Sequence, residues 1–269
     1  MKHMSNKVLH NTVGHDFVEG SAVQSGRLDW LLKGLKKGII SLLYPPHCPH
    51  CGQAVWHEGE WCEACFKSEF HMKQIKLTKA SSLELIYVLS DYDNGVKELI
   101  RDIKFNKKPE RSQWLAPFLL SFSIALAKGD RQYTSNTYDY VIPIPVSPKK
   151  ILERGYNQVD IIFKSWTTAQ GNISIDNDMN LQWLDCLQKA DSTKKMYALG
   201  RVERQANIEK AFSLKLSIKK QNILRNKKVL LVDDIYTTGA TLEAAAKVLK
   251  DEGGCASVHG LAITGGHSA

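Results

Sequence analysis

The stretch KKVLLVDDIYTTGATLEAAAKVL, residues 227–249, decides the predicted fold of this chain. Its segment VLLV, residues 229–232, is a continuous apolar run, which is typical of a strand buried on both faces of a parallel sheet. The acids Asp233 and Asp234 follow, and beyond them apolar side chains return at helical spacing. These helical positions are Leu242, Ala245, Ala246 and Leu249. The stretch therefore predicts a strand, a turn and a helix.

Strands and helices are predicted to alternate along the chain. Further strands are predicted at residues 85–90, 138–146 and 256–264. Further helices are predicted to begin at Asp93 or Asn94, to run through residues 114–128, and to lie within residues 153–166. Alternation of this kind favours βαβ units, so we expect an α/β fold whose parallel sheet is flanked by helices.

The composition is that of a soluble globular protein, because 43% of the 269 residues are apolar and 24% are charged. The sequence contains no run of about eighteen apolar residues and no leader that resembles a signal peptide. We therefore expect a cytoplasmic protein without a membrane span. Three regions are predicted: a disordered leader (1–26), an amphipathic helix with a cysteine module (27–80), and the main domain (81–269).

The cysteine module predicts a structural zinc site. Four cysteines form two C-x₂-C pairs, Cys48 with Cys51 and Cys62 with Cys65. Each such turn holds two sulfurs at a separation that suits tetrahedral zinc, and four thiolates complete the coordination shell. A site without an open position is structural, and its metal contributes folding free energy to a segment too small for its own core.

Positive charge is concentrated in one part of the chain. The net charge is +8, and residues 189–228 alone carry twelve Lys or Arg and three acids. This excess suits a polyanion such as a nucleic-acid backbone, and it also suits a solvated basic loop; composition does not separate the two. A second basic set is predicted on one helix face: Lys97, Arg101, Lys104 and Lys108.

Acidic and hydroxyl side chains meet after the predicted strand at residues 229–232. Because side chains alternate along a strand, Asp233 and Asp234 are expected where the strand has ended, at the carboxyl edge of the sheet. The following helix start offers backbone N–H groups and hydroxyls to a phosphate through Thr237, Thr238, Gly239, Ala240 and Thr241. Carboxylates accept hydrogen bonds from sugar hydroxyls and hold Mg²⁺. The residues themselves therefore predict a ribose 5-phosphate site.

Residues 229–241 resemble the 5-phosphoribosyl-1-pyrophosphate (PRPP) signature of the type I phosphoribosyltransferases. The resemblance implies that Asp233 and Asp234 contact the ribose 2- and 3-hydroxyls and that the turn holds the 5-phosphate. It also implies that Mg²⁺ accompanies PRPP.

Three further segments and the cysteine module together resemble the ComF/GntX family, whose members act in competence and in the use of DNA. The segments are SDYDNGVKELIRDIKF (90–105), VIPIPVSPKKILERGYNQ (141–158) and RVERQANIEKAF (201–212). The resemblance implies a type I phosphoribosyltransferase-like domain that follows a small four-cysteine zinc module. By matching position it assigns to the cleft Lys104, Arg154, Gly155, Asn157, Gln158, Arg201, Arg204 and Asn207.

The resemblance favours a cytosolic protein that acts in the uptake or use of single-stranded DNA and retains a PRPP-type pocket. A basic surface is then expected to follow the DNA backbone. Its candidate residues are Lys97, Arg101, Lys104, Lys108, Arg154, Asn157, Lys194, Lys195, Arg201 and Arg204. Candidate stacking surfaces for bases are Tyr156, Tyr197 and Phe105, although core packing is favoured for Phe105.

Two alternatives stay open from the sequence. The first is an active phosphoribosyltransferase of nucleotide metabolism, in which Asp233, Asp234 and Arg154 act at the reacting centre and pyrophosphate is released. The second is a PRPP-sensing regulatory protein whose zinc module docks a partner, such as a DNA-translocating helicase.

Overall fold

The computed structural model describes residues 44–127, 138–169, 181–189 and 211–266. The chain divides into two compact units, Met1–Pro45 and Pro46–Ala269, and the architecture below is that of the second unit. The predicted leader and the predicted amphipathic helix fall within residues 1–43, outside the described residues.

A six-stranded sheet forms the centre of this unit. Its strands in chain order are β1 (Lys73–Lys76), β2 (Leu85–Asp91), β3 (Tyr140–Pro143), β4 (Gln182–Trp183), β7 (Lys228–Tyr236) and β8 (Ser257–Gly265). The spatial order is β1-β2-β8-β7-β3-β4, and every neighbouring pair is parallel except β1 with β2. A separate antiparallel ribbon pairs β5 (Leu187–Lys189) with β6 (Phe212–Leu214). The predicted parallel α/β sheet is confirmed. Among its six strands, only β1, at one edge, is antiparallel to its neighbour.

The helices flank the sheet. They are α1 (Glu63–Glu69), α2 (Asn94–Phe105), α3 (Ala116–Ala127), α4 (Pro148–Arg154), α5 (Gln158–Ala169), α6 (Leu216–Gln221) and α7 (Ala240–Asp251), with a 3₁₀ helix at Pro109–Leu115. The helix α2 begins where its sequence predicts, because the Oδ1 atom of Asp93 accepts a hydrogen bond from the Asn94 N–H at 2.8 Å.

Each face of the sheet is covered by its own apolar cluster. Leu230 and Val232 of β7 face a cluster that includes residues of α2, α3, α5 and the cysteine segment. Their neighbours Val229 and Leu231 face the opposite cluster, which includes α7 and the β5–β6 ribbon. This alternation explains why β7 is apolar at every position from 229 to 232: the strand is buried on both sides.

The cysteine segment packs against the main sheet domain rather than standing apart from it. The Trp61 Nε1–H donates to the Trp114 carbonyl oxygen at 2.7 Å. The edge of the Trp61 ring also meets Phe118, with 5.3 Å between the ring centroids. Phe66 makes a second edge contact with Phe118 at the same centroid distance. These contacts give the segment a core that it shares with α3.

The strand β7 is longer than predicted. The expected strand stops at residue 232, whereas β7 continues through both acids to Tyr236. The physical reason is its partner, because β8 pairs with β7 along its whole length, up to Tyr236 opposite Gly265. On the other side, β3 ends at Pro143 opposite Val232. Both acids therefore lie on the part of β7 that extends beyond the end of its neighbour β3.

Replacing Trp61 by Phe should destabilise the described unit. The substitution removes the indole N–H and leaves the Trp114 carbonyl without this donor, which costs about 1–3 kcal/mol of the free energy of unfolding. Urea unfolding of the zinc-loaded protein measures the change. The matched control is Trp56→Phe, since Trp56 is 89% exposed and its replacement should change the free energy by less than about 0.5 kcal/mol. Equal effects of the two substitutions would contradict the docking of this segment through Trp61.

Candidate ribose-phosphate site and metal centre

The second acid of β7 forms a buried ion pair. The Oδ2 atom of Asp234 lies 2.7 Å from the Nζ atom of Lys104, and the two side chains are 4% and 15% exposed. Lys104 stands in the last turn of α2, on the face of the sheet that α2 covers. The same Asp234 oxygen has no hydrogen bond of acceptable angle among the described residues, so the contact with Lys104 is a close charge contact rather than an aligned hydrogen bond. A ligand hydroxyl would supply the missing donor.

The first acid has a different environment. The Oδ1 atom of Asp233 accepts a hydrogen bond from the Asp234 N–H at 2.9 Å. Burial raises the pKa of Asp233 well above its usual value, the charge of Asp234 adds to this rise, and Lys104 opposes it. The pair is therefore asymmetric, with the proton favoured on Asp233.

Lys189 of β5, which the sequence presents only as part of a basic run, interacts electrostatically with the acid pair. Burial lowers the pKa of its ammonium group, the charge of Lys150 lowers it further, and the charge of Asp233 opposes the shift. Its Nζ atom lies 5.1 Å from the centroid of the Phe212 ring. These interactions place Lys189 within electrostatic reach of Asp233. No local signal identifies it, because the β5–β6 pairing joins segments far apart in the chain.

An open turn follows the acids directly. Thr237 and Thr238 are exposed, and α7 begins at Ala240 after Gly239, which has a left-handed backbone with φ of 75°. A Cβ atom at Gly239 would lie 2.9 Å from the Tyr236 ring, so the position requires glycine for both conformation and space. The first N–H groups of a helix lack intrahelical acceptors, and α7 presents them beside exposed hydroxyls. N–H groups and hydroxyls in this arrangement are suitable hydrogen-bond donors for a phosphate.

The acids and the turn lie at one edge of the sheet. They stand at the carboxyl end of β7, beyond the point where β3 has ended at Pro143. Asp233 and Asp234 are buried there, whereas Thr237 and Thr238 of the turn are exposed. The acids and the turn are adjacent in the chain and in the structure, and their role as a ribose-phosphate site stays a prediction.

Arg154 and Asn157 are both held by local contacts. Arg154 ends α4, donates to the Oε1 atom of Gln158 at 2.5 Å, and lies 5.5 Å from the centroid of the Phe105 ring. Asn157 caps α5, because its Oδ1 atom accepts from the Val159 N–H at 3.1 Å. Its side chain therefore has a structural partner in addition to any ligand.

The four cations of the predicted basic face at residues 97–108 have different environments. Lys97 and Arg101 are exposed on α2, as a basic surface requires. Lys104 instead turns into the ion pair with Asp234, and Lys108 lies beyond the end of the helix, where it pairs with Asp102 at 3.3 Å. The difference arises because buried acids need partners and recruit two of the four cations. Several other predicted residues lie outside the described residues: Lys194, Lys195, Tyr197, Arg201, Arg204 and Asn207.

The four paired cysteines form a compact cluster. The sulfur atoms of Cys48, Cys51, Cys62 and Cys65 all lie within 4.8 Å of one another. Cys62 precedes α1, and its sulfur accepts from the Cys65 N–H at 3.5 Å, which turns both thiols of this pair inward. Burial raises the pKa of Cys48, but N–H groups of Cys51, Cys62 and His50 outweigh it and bring the pKa to about 7. Four convergent thiols fit zinc.

The acid pair does not fit a resident metal ion in the same way. Among residues 44–127, 138–169, 181–189 and 211–266, the cysteine cluster is the only group of three or more His, Cys, Asp or Glu arranged to hold a metal. The carboxylate of Asp234 is instead paired with Lys104.

Comparisons with known proteins agree with both parts of the structure. A phosphoribosyl transferase domain matches residues 186–266, and a double zinc ribbon domain matches residues 39–75. Competence protein F of Haemophilus influenzae is 27% identical over 83% of this chain and 85% of its own length. DNA utilization protein YhgH of Escherichia coli K12 is 23% identical over 78% of this chain and 80% of its own. Competence protein ComFC of Streptococcus pneumoniae is 26% identical over 77% of this chain and 82% of its own length.

The fold and the two sites define a phosphoribosyltransferase-like protein with an N-terminal structural zinc module. Its similarity to the competence and DNA-utilisation proteins extends over both parts. The resemblance to the ComF/GntX family found in its sequence is confirmed by these similarities. Within the described residues, no helix has both the length and the apolar character that a bilayer span requires.

Metal analysis should find about one equivalent of zinc per chain. Cys62→Ser should lower the zinc content strongly, because three thiolates and a hydroxyl bind the metal more weakly than four thiolates. The matched control is Cys255→Ala: Cys255 is buried in the cluster that contains α7, away from the four paired cysteines, so its loss should leave zinc unchanged. Equal zinc contents of the wild type and Cys62→Ser would contradict the assigned ligand set.

Proposed function

We propose that this protein binds PRPP or a related ribose 5-phosphate compound at the edge formed by Asp233, Asp234 and the turn at residues 237–241. We further propose that it acts in the cytoplasm in the uptake or use of single-stranded DNA. The observation that carries the pocket is the buried Asp234, whose Oδ2 atom has no aligned donor, directly ahead of an exposed phosphate-binding turn. The names of the relatives, competence and DNA-utilisation proteins, support the role in DNA handling.

Each part of the pocket has a distinct task in this proposal. Asp234 accepts hydrogen bonds from the ribose hydroxyls, and Asp233, with its raised pKa, is able to donate one. The turn and the N-terminus of α7 hold the 5-phosphate. Mg²⁺ enters as part of the ligand, on the pyrophosphate oxygens of PRPP. Lys189 lies on the side of Asp233 and is suited to neutralise further phosphate charge.

The surface beside the pocket supports an interaction with DNA bases. Phe105 is 68% exposed, so the expected core packing of this ring is wrong. Arg154 lies over the ring at 5.5 Å from its centroid, which leaves an aromatic and cationic surface at the end of α2. Bases of any identity stack on such a surface, and a cation next to it attracts the neighbouring phosphate.

Exposed cations extend this surface along α2. Lys97 and Arg101 are exposed on the same helix that ends at Phe105. Their contact with a DNA backbone would be electrostatic and independent of base sequence. The proposed interaction is therefore non-specific, with stacking at Phe105 and phosphate contacts at the helix surface.

PRPP with Mg²⁺ should raise the melting temperature of the wild type by about 5–10 °C at a hundredfold excess over its dissociation constant. The double substitution Asp233→Asn with Asp234→Asn should abolish this increase, because the carboxyl groups that bind the ribose are lost. Asp251→Asn, at the exposed far end of α7, is the control and should retain it. An increase that survives the double substitution would place PRPP elsewhere. Pyrophosphate release in the same samples separates an active transferase from a binding protein.

Phe105→Ala should weaken the binding of a short single-stranded oligonucleotide about tenfold, since one stacked base contributes about 1–3 kcal/mol. Fluorescence anisotropy measures the affinity, and binding should fall steeply with salt. Leu216→Ala is the matched control, because Leu216 is 66% exposed and lies on α6. Equal losses in the two variants, or an affinity that does not respond to salt, would refute the proposed DNA surface.

A further inference from the structure

The ion pair between Lys104 and Asp234 puts a positive charge beside a carboxylate that a divalent cation would otherwise be free to contact. A divalent ion that bridges Asp234 and a ribose hydroxyl has to contact a carboxylate oxygen directly or through one water. The ammonium group of Lys104 already lies 2.7 Å from the Oδ2 atom. A second cation there would be repelled by the first and would compete with it for the same carboxylate.

Lys104 is held in place by the contacts at the end of α2. The hydroxyl of Tyr156 donates to the Ile103 carbonyl oxygen at 2.6 Å. Asp102 is buried, accepts a hydrogen bond from the Asn106 side chain at 2.6 Å, and forms an ion pair with Arg111. These contacts fasten the residues on both sides of Lys104. The ammonium group is therefore a fixed part of the site rather than a mobile surface charge.

The pair also leaves the carboxylate able to bind a sugar. The Asp234 oxygen next to Lys104 lacks an aligned donor among the described residues, although 96% of its side chain surface is buried. A ribose hydroxyl can donate to this oxygen while Lys104 remains beside it, because a carboxylate oxygen has more than one acceptor site. Lys104 can therefore neutralise Asp234 while Asp234 accepts a hydrogen bond from a ribose hydroxyl.

We propose that Lys104 takes the place of a divalent cation in this pocket, so that a ribose 5-phosphate group binds Asp234 and the phosphate turn without a metal ion. This inference rests on the proposed ribose-phosphate pocket and defines its chemistry: the sugar-binding part is metal-independent. Mg²⁺ then affects only ligands that carry a metal-binding diphosphate.

Isothermal titration with ribose 5-phosphate tests the proposal, because this ligand lacks the diphosphate that carries Mg²⁺ in PRPP. Titrations are done with the zinc-loaded protein in magnesium-free buffer without a chelator, which would remove the zinc, and in MgCl₂ at equal ionic strength. The wild type should bind with the same dissociation constant in both, within about twofold. Lys104→Met should weaken binding in the magnesium-free buffer at least tenfold, and MgCl₂ should restore part of the loss because the position beside Asp234 is then open to the metal.

Two further variants control the experiment. Lys104→Arg keeps a positive charge beside Asp234 and should retain metal-independent binding. Lys247→Met removes an exposed lysine in the middle of α7 and should behave as the wild type. The zinc content and the melting temperature of each variant show whether it is folded. If Lys104→Met does not fold, the comparison of the wild type with the Lys104→Arg variant still tests the proposal.

The outcomes separate this inference from the proposed function. Binding of ribose 5-phosphate by the zinc-loaded wild type in MgCl₂ but not in magnesium-free buffer would overturn the role of Lys104 and leave the pocket in place. Unchanged metal-free binding by folded Lys104→Met would also overturn it. Absence of binding under both conditions would refute the ribose-phosphate pocket itself, and with it the inference.

Discussion

Burial of two carboxyl groups at the end of β7 is the constraint around which the cleft is organised. A charged carboxylate in such a place needs a partner, and a second one beside it favours protonation of one member of the pair. Lys104 on α2 pairs with Asp234, and burial raises the pKa of Asp233. In the sheet, β8 pairs along all of β7, whereas β3 ends at Pro143, before the two acids. The position and the charge of the two groups both follow from this one strand.

The helix α2 connects the metal centre to this cleft. At its N-terminal end, the buried Glu69 of α1 lies near the Gly95 and Val96 N–H groups, and His50 beside Cys51 lies 3.1 Å from the same carboxylate. At its C-terminal end stands Lys104. Zinc organises the segment that packs on one end of the helix, and the helix holds the cation of the pocket at the other. The zinc module thereby contributes to the geometry of the cleft without any ligand contact of its own.

Much of the fold and part of the site are predictable from local patterns. The apolar run before the acids, the cap at Asp93 and the two C-x₂-C turns each lie within a few residues, and local chemistry is sufficient to identify them. The exposure of Phe105, the ion pair of Lys104 and the approach of Lys189 to Asp233 are different. They depend on residues that are distant in the chain and meet only when helices and strands pack.

The sequence by itself determined the βα unit at residues 228–251, the glycine turn within it and the four clustered cysteines, because neighbouring residues specify each of them. Only the tertiary structure decided which cations remain on the surface and which serve the buried acids. Lys97 and Lys104 are indistinguishable in a helical pattern, yet one is exposed and the other neutralises Asp234. The reason is that the free energy of a buried charge depends on what the rest of the fold brings within a few ångströms of it.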